Sequence, residues 1–134
     1  MKIEPYLFFE GRCEEALEFY RRVLGAEVTM LMRYKESPDQ SHVPKGAENK
    51  IMHANVRIGE SVIMVSDGNC TENATFKGIS LSIALNDALD GEKLFKALSE
   101  GGQVRMPFAP TFWSPGFGMV ADRFGVSWMI NVLP

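Results

Sequence analysis

His53 is the polar residue best placed to do chemistry. In the run Ile51–Ile58 it shares a face with Asn55 and Arg57, while Met52, Ala54, Val56 and Ile58 alternate onto the other face. An imidazole so placed can line a pocket, bind an anion or pass a proton; it can equally face solvent or cap a carbonyl. His42 lies in a polar stretch and is expected to be solvated, so the two histidines meet only if that stretch folds over the strand. Cys13 follows Arg12 at the start of a helical pattern, where the dipole and the cation favour a thiolate and Glu14 and Glu15 oppose it. Cys70 reads as an exposed thiol in a polar linker. Two cysteines are too few for a disulfide framework, and neither has partners at zinc-site spacing. Asp67 before Gly68, and Asp122 before Arg123-Phe124-Gly125, read as carboxylates that organise turns, and Glu4 as a surface residue.

Aromatic and thioether side chains carry a second signal. Phe8, Met64, Trp113, Phe117 and Met129 fall on strands or rims that a curved sheet would turn toward a concave face. With His53 they form the candidate ligand-binding set, suited to a flat or partly apolar small molecule. Core packing or a dimer interface would use the same residues. Trp113, between Thr111-Phe112 and Ser114-Pro115-Gly116, belongs at a pocket mouth.

The elements that must position these residues repeat. Ala16, Leu17, Tyr20, Val23 and Leu24 give Glu15–Leu24 the stripe of an amphipathic helix, stopped by Gly25. Glu92–Ser99 repeats it with Leu94, Phe95, Ala97 and Leu98, with Asp87 or Asp90 as cap and Gly101-Gly102 as stop. Laying Phe19 on Phe95 puts Gly25 on Gly101, Val28 on Val104 and Met30 on Met106, an offset of 76 residues. A strand precedes each helix, at Pro5–Phe9 and Gly78–Leu85, and three follow. In the first half these are Glu27–Tyr34, Ile51–Ile58 and Ser61–Ser66; in the second, Gln103–Met106, Gly118–Ala121 and Ser127–Val132. Lys35 to Asn49 reads as a long exposed loop and a mobile flap. The expectation is α+β: one domain of two βαβββ modules, 1–67 and 78–134, joined by a linker at 68–77, whose curved antiparallel sheets enclose a pocket.

Composition narrows the function. The 134 residues carry 14 basic and 17 acidic side chains, a formal charge of -3, with no clustered basic excess of the kind nucleic acid requires. No apolar run approaches the roughly 18 residues of a membrane-spanning helix. Met1-Lys2-Ile3-Glu4-Pro5 lacks the apolar stretch of a secretory signal, so a cytoplasmic location is expected.

The chain resembles the PhnB-like branch of the vicinal-oxygen-chelate superfamily, which includes glyoxalase I, fosfomycin- and bleomycin-resistance proteins and extradiol dioxygenases. Pro5-Tyr6-Leu7-Phe8-Phe9, Glu15-Ala16-Leu17-Glu18-Phe19-Tyr20 with Leu24-Gly25-Ala26-Glu27, and Met64-Val65-Ser66-Asp67 carry the general likeness. Phe112-Trp113, Gly118, Asp122, Phe124-Gly125 and Trp128-Met129-Ile130-Asn131 point to the branch. The resemblance implies the glyoxalase/bleomycin resistance/dihydroxybiphenyl dioxygenase fold and a homodimer. It also implies metal-ligand positions at Pro5 (beside Glu4), Met64, Gly78 and Met129, none of which is a normal divalent-metal ligand. Shifting by one residue offers Ile63, Val65, Lys77, Ile79, Trp128 and Ile130, which are no better. Relatives labelled as a ubiquinone-pathway methyltransferase suggest a nucleotide cofactor, yet no glycine-rich loop joins a strand to a helix here. The expectation is a small-molecule binding or sequestering protein without metal or other cofactor. The alternatives are a lyase, isomerase or transferase with a divalent metal in a displaced site built from His53, Glu4 and His42, a metal-free acid–base catalyst using His53, and an interaction module whose pocket is self-filled.

Overall fold

The computed structural model describes residues 1–134, which divide into two compact units, Met1–Ala74 and Thr75–Pro134. The first contains β1 (Tyr6–Phe8), α1 (Cys13–Leu24), β2 (Glu27–Arg33), β3 (Ile51–Ile58) and β4 (Ser61–Ser66). The second contains β5 (Leu81–Leu85), α2 (Ala88–Ser99), β6 (Gln103–Ala109), β7 (Phe117–Ala121) and β8 (Ser127–Val132). Each is a βαβββ module, as the repeat predicts.

The sheets are mixed rather than wholly antiparallel. Their orders are β1-β4-β3-β2 and β5-β8-β7-β6, and the outermost pairs, β1 with β4 and β5 with β8, run parallel. The physical reason is the path of the chain: a helix and two further strands intervene before the fourth strand returns beside the first, which lets the two point the same way. Within each unit one face packs on the helix. Leu7, Ala54, Val56, Ile63 and Val65 are buried with Ala16, Leu17 and Tyr20 in the first; Val120, Trp128, Ile130 and Val132 are buried with Phe95 and Leu98 in the second. Gly118 permits the α2 approach, since a Cβ there would come within 2.7 Å of the Phe95 ring.

Helix starts differ most from expectation. α1 begins at Cys13, two residues early, with Arg12 as an N-cap that makes no side-chain capping bond. The first-turn N–H groups still need acceptors. Asp67, at the end of β4, supplies one: its Oδ1 accepts from the Cys13 amide at 2.8 Å and the Gly11 amide at 2.9 Å, while Oδ2 accepts from Ile51 at 2.7 Å. α2 begins at Ala88, and of its two candidate caps Asp87 serves, accepting from the Leu89 and Asp90 amides.

The 35–49 segment is less detached than a flap. It contains two 3-10 turns, Tyr34–Glu36 and Gln40–His42, is tied at its base by Lys35 N donating to Glu48 O, and buries Ala47. No helix is long and apolar enough to cross a membrane.

Candidate functional site

Strand register in the first unit builds a patterned face opposite α1. Tyr6 pairs with Met64, Met64 with Asn55 and Asn55 with Met30, so these four side chains form one row across the sheet. Phe8 pairs with Ser66, and His53 with Met32. Leu7, between Tyr6 and Phe8, points into the core, and this alternation turns both rings outward, 38% and 49% exposed. The rings stack at 4.9 Å with 20° between planes.

Beside them opens a pocket of about 500 Å³ within this unit. Tyr6, Phe8, Tyr34, Met52 and Ser66 line it, with Glu10, Gly68 and Asn69 around them. Its rim is built from unusual backbone: Glu10, Gly68 and Cys70 all take positive φ, at 51°, 57° and 55°. Left-handed backbone at non-glycine residues costs free energy and persists only where the surroundings impose it. Here Glu72 N donates to Glu10 O at 2.8 Å, and Glu10 Oε1 accepts from the Thr71 hydroxyl at 2.9 Å.

A hydrogen-bonded chain runs behind the pocket wall. His53 Nε2 donates to Asn55 Oδ1 at 2.7 Å, leaving Nδ1 as acceptor for the Tyr6 hydroxyl at 2.7 Å. Buried Ser66 accepts through its hydroxyl oxygen from Gly68 N at 2.9 Å. The Tyr34 hydroxyl donates to Gly68 O. Burial, with the neighbouring phenol adding to it at Tyr6, pushes both tyrosines above the ordinary phenol value.

The six ligand candidates divide between the units. Phe8 lines the pocket, Met64 lies beside Tyr6, and His53 stands behind Tyr6 rather than in the lining. In the second unit Trp113 meets Phe117 edge-on at 5.2 Å and Phe112 at 4.8 Å, and Met129 pairs with Ser82 and Met119. Asn131, paired with Phe117, has a buried Oδ1 without a hydrogen-bond partner. Tyr6, Tyr34, Ser66 and Glu10 were not singled out as ligand contacts by the sequence. Tyr6 was accessible to the alternation that selected Phe8; the others reach the site through the loop after β2 and the turns that follow β1 and β4.

The other chemical candidates do not assemble. Cys13 is fully buried, and burial, reinforced by the charges of Asp67 and Glu14, pushes its thiol far up, so the thiolate that the helix start suggested does not form. Cys70 is only partly exposed, and burial raises its thiol as well. Asp122 organises its turn as expected, accepting from Phe124, Val126 and the Trp128 indole N–H. The residues do not fit a divalent metal: Met64 and Met129 offer soft thioethers, Gly78 and Pro5 offer no side-chain donor, and no three His, Cys, Asp or Glu side chains gather. Of the residues named for a displaced centre, His53 has both ring nitrogens engaged, His42 lies 3.4 Å from Asp39 and Glu4 lies 3.5 Å from Lys2.

Comparison with known proteins agrees with this architecture. A family model described as 3-demethylubiquinone-9 3-methyltransferase matches residues 1–131. Protein YjdN of Escherichia coli K12 is 38% identical over 141 residues, covering 99% of this chain and 96% of that protein. The crystal structure of protein PA1353 from Pseudomonas aeruginosa is 40% identical with a TM-score of 0.87, covering 99% of this chain and 98% of that one. A PhnB protein from Bacillus cereus is 29% identical with a TM-score of 0.82, covering 98% and 99%. A glyoxalase/bleomycin resistance protein/dioxygenase family enzyme from Burkholderia phytofirmans, 13% identical with a TM-score of 0.60 over 98% and 96%, shares the fold.

Proposed function

The chain belongs to the PhnB-like 3-demethylubiquinone-9 3-methyltransferase family, and on that premise we propose that it is a metal-free protein that binds or sequesters a compact, partly apolar small molecule. The observation that carries this reading is the pocket of about 500 Å³ walled by the stacked, half-exposed rings of Tyr6 and Phe8. Outward-facing aromatics beside a concavity are the usual lining of small-molecule sites. His53 supports the wall through Tyr6, Met64 extends it, and in the other unit half-exposed Trp113, edge-on to buried Phe117, and Met129 offer a second aromatic and thioether feature. The family description names a methyl transfer; the pocket lining offers no group that would select that reaction over binding. On this reading the protein works in the cytoplasm as a homodimer, with no nucleic-acid or membrane partner.

The test is a thermal-shift screen of small aromatic compounds, followed by Phe8→Ala, His53→Ala and Trp113→Ala variants. A compound that binds only the folded state raises the melting temperature. Weakened binding in the variants, with melting of the free protein little changed, is expected. Absence of any binder, or binders indifferent to all three substitutions, overturns the pocket. Stoichiometric metal in chelator-free protein, or a specific shift with zinc, nickel, manganese or magnesium, overturns the metal-free reading.

A further inference from the structure

The direction of the hydrogen bonds around the pocket says what its occupant must offer. Each phenol in the wall has one proton, and each of these protons is already engaged inside the protein. Asn55 Oδ1 can only accept, so His53 carries its proton on Nε2 and its Nδ1 takes the Tyr6 proton. The Tyr34 proton goes to the Gly68 carbonyl. Glu10 brings a carboxylate, which only accepts. The two phenol oxygens and the Glu10 carboxylate therefore offer lone pairs and no free protons, and buried Ser66 and exposed Asn69 are the lining side chains that keep donors.

We propose that the Asn55–His53–Tyr6 chain fixes the polarity of the pocket, so that it selects a planar aromatic ligand bearing an N–H or O–H donor over an isostere without one. The ring lies against the Tyr6–Phe8 stack and the donor points at the Tyr6 oxygen. His53 and Asn55 are positioning residues that hold Tyr6 as an acceptor. A group that merely accepts finds no proton at Tyr6 and leaves desolvated lone pairs opposed to each other, which is how buried polar groups discriminate.

This inference rests on the small-molecule reading of the same pocket, and the test separates the two. Indole, benzofuran and quinoline are titrated into isotope-labelled protein, with binding located by shifts at Phe8 and Met52. Indole has a donor, benzofuran has nearly the same shape without one, and quinoline presents an acceptor. Indole should bind about five-fold tighter than benzofuran, the effect of one net hydrogen bond. Tyr6→Phe, which keeps the ring, should reduce that preference toward unity. His53→Leu, which releases the Tyr6 proton, should lower it and improve quinoline, while continued benzofuran binding certifies that the variant is folded. Equal binding of indole and benzofuran, indifferent to Tyr6→Phe, overturns the polarity and leaves the pocket reading intact. Failure of all three probes to perturb Phe8 or Met52 overturns both.

Discussion

Replacing Asp67 by alanine is the sharpest test of how the first unit is held together. The carboxylate is 1% exposed and accepts three backbone N–H groups, from Gly11, Cys13 and Ile51, at 2.7 to 2.9 Å. It thereby joins the end of β4 to the start of α1 and the start of β3, and it fixes the backbone leading into Gly68 at the pocket. Alanine removes all three acceptors and strands N–H groups that water does not readily reach. Each unsatisfied donor costs roughly 1 to 3 kcal/mol, and loss of the negative charge at the α1 N-terminus adds up to about 1 kcal/mol. Because a shifted backbone recovers part of this, the expected destabilisation is about 4 kcal/mol, a large fraction of the stability of a domain this size. Urea unfolding followed by circular dichroism gives the free energy and its denaturant slope. Asp67→Asn separates charge from shape: one oxygen still accepts from Gly11 and Cys13, while the amide turned toward Ile51 opposes donor to donor, so about half the loss is expected. A loss below about 1 kcal/mol for Asp67→Ala with an unchanged slope would refute the view that this residue caps α1 from β4.

Three further outcomes follow from named contacts. Gly68→Ala places a Cβ against the Glu10 carboxylate and 3.2 Å from the Phe8 ring at a φ of 57°, so it should cost about 1 to 2 kcal/mol in urea unfolding and weaken any pocket binder; a neutral effect would show that the rim is soft. Thiol titration at pH 8 should label Cys70 far faster than Cys13, whose burial and acidic neighbours keep it protonated and whose labelling must wait for opening; comparable rates would contradict the packing. Tyr6 and Tyr34 hold their protons to higher pH folded than unfolded, so their contribution is complete below the ordinary phenol value of about 10 and is lost as pH rises through the raised values. Stability measured from pH 8 to 11 should therefore fall, and less steeply in Tyr6→Phe; equal slopes would place that loss elsewhere.

What the sequence disclosed and what it hid have separate physical origins. β3, β4 and β8 begin and end where the residue patterns place them, because alternation and the flanking turns are local properties. The apolar stripe bounded α1 at Glu15, two residues late, because its capping carboxylate is Asp67, 54 residues from Cys13, and the Arg12 side chain makes no capping bond. The parallel pairing of β1 with β4 was hidden for a related reason, since alternation fixes which face a side chain occupies and says nothing of the neighbouring strand's direction. The pocket was half legible. The same alternation that turned Phe8 outward turned Tyr6 outward, whereas Tyr34 and Gly68 meet only when the loop after β2 and the turn after β4 come together.

The internal repeat shows where the two outward faces agree and where they part. Met30 and Met106 hold equivalent places, as do Tyr6 and Ser82, and the 76-residue offset persists through the second strand of each unit. After it the offset shrinks, with Met64 equivalent to Met129, because the connection before β3 is longer than the one before β7. In the row Tyr6–Met64–Asn55–Met30 the first unit carries two polar groups, and His53 joins them into a chain. The second unit answers with Ser82–Met129–Met119–Met106, and where the first places Ser66 it places Asn131, whose Oδ1 has no partner. Methionine recurs at equivalent places in Met64 with Met129 and in Met30 with Met106, so the thioether surface is the shared feature and the hydrogen-bonded chain is the first unit's own. Specificity should therefore reside in the first unit: Met64→Leu and Met129→Leu, which keep volume and apolarity, should change binding by only a few-fold, whereas Tyr6→Phe should change which ligand is preferred. A preference that moved with the methionines and ignored Tyr6 would assign recognition to shape, and the hydrogen-bonded chain would then be scaffold alone.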